Sequence, residues 1–136
     1  MTETTIQVRY PDLDPMGIVH HAVYPIWYEI ARMELLQDAG FPWPRQHELG
    51  IDPVMVSLNL EYLAPVRYPG EVIIRSQIIL AEPKKLKIRY ECFSENGTVS
   101  NNRAESFHIW CRDMKSLNLQ ETQPEIFAGL VRATGS

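Results

Sequence analysis

Long apolar runs are missing from this sequence. No stretch approaches the ~20 consecutive hydrophobic residues that a membrane-spanning helix needs, so no transmembrane segment is expected. A surplus of positive charge is missing too: 13 Lys and Arg stand against 17 Asp and Glu, for a net charge of −4. Neutralising a phosphate backbone requires the opposite balance, which removes nucleic acid from the expected partners. Cysteine is scarce, with Cys92 and Cys111 the only two in 136 residues. One disulfide could join them. In a chain whose opening, MTETTIQVRY, lacks a basic-then-apolar leader, two cysteines are expected to be reduced and buried, and the cytoplasm is the expected compartment. No two histidines have helix-face metal spacing and no cysteine pair accompanies them, so no metal and no cofactor are expected. Repeats, low-complexity tracts and linkers are also absent, and residues 1–136 read as one domain.

What is present is a globular composition, 45% hydrophobic and 22% charged, with a legible order of elements. Ile6, Val8 and Tyr10 alternate with Thr5, Gln7 and Arg9, which predicts a strand over Thr4–Tyr10 with one buried face, ended by Pro11. Ala22–Ala39 carries apolar residues around most of a helix, with Gly40 as its stop; Glu29 and Arg32, three apart, fit a narrow wet stripe. Pro25 is tolerated only in the first turn, so the helix is expected to open near His21 or Ala22 and to turn its free amides toward the Asp14–Gly17 loop. GFPWPRQHELGIDP reads as a proline-rich connector. Four strands follow, around Val54–Leu63, Val72–Ala81, Lys85–Cys92 and Ser100–Arg112, with Asn96-Gly97 as a hairpin turn. In the third of these, Lys85, Lys87 and Arg89 alternate with Leu86 and Ile88, which makes them a solvated face before it makes them phosphate ligands. In the last, Ala104, Ser106, His108 and Trp110 compete with Phe107, Ile109 and Cys111 for the inward side. A short helix over Pro124–Val131 completes the chain. The pattern predicts an α+β fold: an antiparallel sheet of about five strands wrapped around one long helix. So small a sheet leaves open edges and a half-covered core, so a homodimer that continues the sheet is expected, and a tetramer would be a pair of such dimers.

The segment DLDPMGIVHH crowds Asp12, Asp14, Gly17, His20 and His21 together just before the long helix. Asp before Pro is a common turn starter, and Asp near a helix start a common cap, so turn chemistry alone would explain Asp14. The wider context changes the balance. VRYPDLDPMGIVHHAVYPIWYEIARMELL resembles the opening of the 4-hydroxybenzoyl-CoA thioesterase family, whose members have the hot-dog fold. The shared pattern falls on Tyr10, Asp12, Asp14, Gly17, Ile18, Val19, His20, His21, Tyr28, Glu29, Ala31, Arg32 and Glu34, and LNLEYLAPVRYPGEVII is similar to the family's second strand and following turn.

The resemblance implies hydrolysis of an acyl-CoA thioester to a carboxylic acid and coenzyme A, the coenzyme being part of the substrate. It places the catalytic carboxylate on Asp14 and an assisting histidine on His21. It puts the oxyanion donor on a backbone N–H at or beside His21, with Gly17, Val19, His21 and Tyr24 around the substrate. His20 departs from the pattern, standing where relatives often carry an aromatic residue, and leaves open which histidine takes part. The chemistry fits these residue types. A thiol leaves readily, so the site needs mainly a carboxylate and donors for the carbonyl oxygen, and amides at a helix start are such donors. Gly17 would let backbone approach the substrate. Asp14 could attack directly or activate water. The alternatives are an acyl-carrier-protein thioesterase, a hot-dog dehydratase (its His-Phe-Pro-Gly type signature is absent) and a module that binds acyl thioesters without cleaving them.

Overall fold

The computed structural model describes residues 1–135. The first strand, β1 (Thr2–Gln7), buries Thr2 and Thr4 and half-buries Ile6. It starts and stops earlier than the alternation predicts. Val8 continues inward, but Pro11 sets a 3₁₀ turn over Tyr10–Asp12 that throws Tyr10 outward, where its ring meets Tyr68 edge-on. The helix α1 (Tyr24–Asp38) has Pro25 in its first turn, as expected, but opens at Tyr24, three residues after His21 and two after Ala22. A separate turn closed by Val23 N–H to His20 O occupies residues 20–23. The connector is not all loop. It contains α2 (Trp43–Leu49), opened by prolines at its cap and first turn and closed by Gly50 at a φ of +66°, where a side chain would be strained.

β2 (Asp52–Tyr62), β3 (Glu71–Ala81), β4 (Lys85–Ser94) and β5 (Val99–Arg112) form an antiparallel sheet with β1, in the spatial order β1-β3-β4-β5-β2. A two-residue β6 (Lys115–Ser116) adds to β5 and makes six strands. β2 pairs with β5 rather than with its sequence neighbour β3. Residues 63–70 therefore cross from one edge of the sheet to its other half, and they pass over the opening of α1. Two short helices, α3 (Leu119–Thr122) and α4 (Pro124–Ala133), close the far end; a Cβ on Gly129 would meet Ala39 O at 2.6 Å, so α4 packs hard against the end of α1.

The core lies between α1 and the concave face of the sheet. Tyr24, Trp27, Tyr28, Ala31, Leu35 and Leu36 meet Val72, Ile74, Ile78, Leu86, Ile88 and Tyr90 there. The inward set of β5 is Asn102, Ala104, Ser106, His108 and Trp110. Arg32 is not on a wet stripe. It is buried, 3.9 Å from exposed Glu29, and starts a chain of hydrogen bonds through the interior. Its guanidinium donates to Tyr90 Oη (3.3 Å); Tyr90 and Ser106 Oγ lie 2.7 Å apart; Ser106 Oγ lies 2.7 Å from His108 Nε2; and His108 Nδ1 lies 3.0 Å from Pro53 O. The carbonyl of Pro53 can only accept, so His108 carries its proton on Nδ1 and each hydroxyl donates to the next group. Burial drives the His108 pKa down to about 4 and keeps the ring neutral. On the convex face the basic side chains of β4 are solvated, and Lys87 and Arg89 both reach Glu105. Cys92 and Cys111 are free and buried, and burial pushes the Cys92 thiol up to about 12.

Candidate active site

Leu13 and Val19 pair as a single antiparallel bridge, and the residues between them form a tight loop. Asp14 N–H donates to Ile18 O (2.8 Å) and Gly17 N–H to Asp14 O (3.0 Å). Gly17 closes the loop at a φ of +79°, where any other residue would be strained. The Asp14 carboxylate turns back into the loop: its Oδ1 accepts from Met16 N–H (2.8 Å) and from Ile18 N–H (3.4 Å). Its Oδ2 accepts no hydrogen bond from the described residues. The turn thus uses one oxygen and leaves the other available. Asp12 plays a different part. It is buried, and its two oxygens bind the Arg9 side chain and the Arg9 N–H at 2.9 and 2.8 Å, while its carbonyl takes the amide of His20.

A cavity of about 370 Å³ opens beside this loop, lined by Asp14, Met16, Ile18, Val19, His21 and Tyr24 on one side and Tyr62–Pro65 on the other. Four of the five residues singled out from sequence therefore meet there. Gly17 does not line the cavity; its observed part is to shape the loop. The second wall, Tyr62, Leu63, Ala64 and Pro65, comes from the crossing segment after β2. The sequence marked that segment by similarity to the family's second strand, but only the β2–β5 pairing carries it to the mouth of α1.

The two histidines stack on each other with ring centroids 4.2 Å apart and divide the work. His20 Nδ1 accepts from Ala22 N–H (3.0 Å), so this ring closes the local turn. His21 is exposed at the cavity, and its carbonyl accepts from Tyr62 Oη (2.9 Å). In the same stretch the amides of His20 and Val23 are bonded to Asp12 O and His20 O, whereas the His21 amide has no acceptor among the described residues. An unpaired amide at the head of a helix can stabilise negative charge on a bound oxygen. Tyr24 packs edge-on against Trp27 and Tyr62, and burial raises its phenol well above its usual range, so it stays protonated. Apolar walls, an open carboxylate oxygen and a spare amide suit an acyl group with one electrophilic carbonyl.

Comparison with known proteins bears on the class of reaction. A family model described as the Thioesterase superfamily matches residues 16–101. YneP of Bacillus subtilis (strain 168) is 32% identical over 116 residues, 85% of this chain and 83% of YneP. The acyl-CoA thioester hydrolase YbgC of Escherichia coli O157:H7 is 28% identical over 96 residues, 71% of this chain and 72% of YbgC. Among solved structures, the hypothetical protein TT1821 from Thermus thermophilus superposes with a TM-score of 0.90 at 29% identity, covering 98% of this chain and 99% of that one. The DHNA-CoA thioesterase from Staphylococcus aureus gives 0.92 at 24% identity, over 98% and 91% of the two chains; at that identity the likeness bears on fold alone. A sheet curled around one central helix, a match over most of the chain and a relative at 32% identity lead to one conclusion: this chain belongs to the Thioesterase superfamily, with its hot-dog fold, and is a thioester hydrolase.

Proposed function

We propose that this protein hydrolyses acyl-CoA thioesters, with Asp14 as the reacting carboxylate and the His21 backbone N–H as an oxyanion donor. The observation that carries this reading is that Asp14, with one carboxylate oxygen, and His21, with its amide, both unbonded by the described residues, line the same apolar cavity. As general base, Asp14 takes a proton from water as the water oxygen attacks the thioester carbonyl. The oxyanion rests on the amide, the C–S bond breaks, and the proton passes to the departing thiolate. As nucleophile, Asp14 Oδ2 forms a mixed anhydride and expels the thiolate, and water then opens the anhydride. Label found in Asp14 after a single turnover in ¹⁸O-water identifies the second route, with water opening the anhydride at the Asp14 carboxyl carbon. The His21 ring, at the cavity edge and with no hydrogen bond from the described residues, is assigned an orienting part.

Relatives named for acyl-CoA hydrolysis support the coenzyme A form of the substrate. Membership of the 4-hydroxybenzoyl-CoA branch within the superfamily is a narrower proposal, resting on the motif around Asp14. Thiol release across acyl-CoAs that differ in length and aromaticity tests both proposals. Asp14→Asn is expected to lower kcat by about 10²–10⁴-fold with the fold intact. Unchanged turnover in that variant removes Asp14 from the mechanism, and no cleavage of any acyl-CoA by the native protein leaves a carrier-protein thioester or simple binding as the function.

We further propose that the active form is a homodimer joined through β2. Among the described residues this eleven-residue strand is paired on one side only. Its Val56 is exposed at 55%, and Ile26 and Ile30 of α1, exposed at 57 and 44%, line a groove with Asp52 and Pro53 at the start of that strand. A second copy offers the same edge and the same stripe, so a two-fold pair covers both at once.

A further inference from the structure

We propose that Asn101, which does not itself line the cavity, is a positioning residue for the hydrolysis: it clamps the wall of the cavity and, through it, the loop that carries Asp14. The inference rests on the reading of Asp14 given above. The β4–β5 ladder slips at Asn101. Cys92 pairs with Asn102 and Phe93 with Ser100, which leaves Asn101 as the extra residue of a β-bulge. A strand normally sends successive side chains to opposite faces; here Asn101 and Asn102 are both buried, at 1 and 0%. Re-aiming one side chain is what a bulge accomplishes.

The re-aimed side chain meets the crossing segment. Asn101 Nδ2 donates to Ala64 O (3.3 Å) and Pro65 O (3.1 Å), and Asn101 O accepts from Leu63 N–H (2.9 Å) and Ala64 N–H (3.1 Å). Four hydrogen bonds from one residue thus hold Leu63–Pro65, which form a wall of the cavity. The next residue passes the constraint on. Val66 O accepts from Val19 N–H (2.9 Å), Arg67 bridges Ile18, and Ile18 is bonded in both directions to Asp14, through its carbonyl and through its amide. The connection runs from the bulge to the carboxylate in hydrogen bonds and two short lengths of backbone. Asn101 Oδ1, by contrast, is buried with no partner among the described residues. An unpaired buried acceptor is a cost to folding, so the two donated bonds, not the side chain's overall fit, are what this residue supplies.

Removing the donors should loosen the loop without touching the substrate. In Asn101→Ala, kcat on the best-cleaved acyl-CoA is expected to fall about tenfold or more, with KM within about threefold, because misplacing a reacting group costs rate rather than ground-state binding. Asn101→Ser, which keeps one donor, should recover part of the loss and also serves if the alanine variant folds poorly. Amide hydrogen exchange supplies a readout independent of turnover: the Val19 amide should lose protection in Asn101→Ala while the Ile88 amide keeps it. Leu130→Val, a core change under α4 at the far end of α1, is the control and should leave kcat unchanged even as it lowers Tm. A comparable kcat loss in that control overturns the proposal, and so does full Val19 protection in Asn101→Ala. Undiminished turnover by Asp14→Asn overturns the reading of Asp14 instead, and the exchange result then still decides whether the clamp exists.

Discussion

At the scale of single residues, the site separates what a histidine ring does from what its backbone does. His20 and His21 are neighbours and stacked, yet one ring is tied to Ala22 N–H and the other stands at the cavity edge. The proposed oxyanion donor is the His21 amide, so substitutions that treat ring and amide differently resolve the two. His21→Ala keeps the N–H, and kcat is expected to fall only several-fold. His21→Pro removes it, and a loss of about 10²-fold or more is expected, as for other oxyanion-hole donors. Steady-state kinetics with Tm as a folding check makes the comparison; equal losses in both variants would place the contribution in the ring. Sequence alone singled out Asp14 and His21 as candidates because their spacing matches a known pattern. It had no means of showing that Asp14 spends one oxygen on its own turn, since that depends on where Met16 and Ile18 point their amides.

At the scale of elements, the chain Arg32–Tyr90–Ser106–His108–Pro53 ties α1, β4, β5 and β2 together through the core. Its one titratable link in the mild acid range is His108. The folded pKa of about 4 lies below the ordinary 6.5 because charging the ring would bury an unsolvated cation near Arg32. A depressed folded pKa means the unfolded chain binds the proton first, so stability is full above pH 6.5 and declines as pH falls toward 4. The gap corresponds to about 3 kcal/mol, lost across that window. Urea unfolding at a series of pH values checks this: His108→Gln should flatten the slope between pH 6.5 and 4, whatever its effect at neutral pH. A slope equal to that of the native protein would show that other groups carry the acid sensitivity. The alternation of β5 was ambiguous in sequence because three of its five inward residues, Asn102, Ser106 and His108, are polar. Hydrophobic periodicity cannot recognise a buried face whose hydrogen bonds are supplied by other strands. α2 escaped for a related reason. Prolines that break a helix in its interior are compatible with its first turn, and Pro42 and Pro44 stand at that point.

At the scale of the whole molecule, the two faces of the sheet have opposite characters. The convex face carries a cross-strand ladder of alternating charge: Glu3 pairs with Arg75, which lies opposite Glu91, then Arg103, which reaches Glu61. Exposed pairs of this kind contribute about 0–1 kcal/mol each, so the ladder's main effect is to keep that face wet. The β2 edge and the exposed stripe of α1 have no such protection. The proposed dimer should therefore be sensitive at Val56: Val56→Lys is expected to shift the protein from dimer to monomer in sedimentation velocity, with loss of activity if the second copy completes the site. A native protein that sediments as a monomer at micromolar concentration would overturn the dimer. The same measurement shows whether dimers pair further.

The amino-acid sequence by itself determined the five long strands, the wrapped helix, the position of Pro25 in its first turn and the Asp14–His21 loop, because periodicity, proline stereochemistry and a local motif all act over a few residues. Tertiary structure decided what depends on distant partners. The pairing of β2 with β5 brings Tyr62–Pro65 to the loop, and the bulge turns Asn101 toward them. The fold also draws Arg32 inward to Tyr90. Each of these outcomes is set by hydrogen bonds between residues tens of positions apart, and a local pattern in the chain carries no record of which groups will meet.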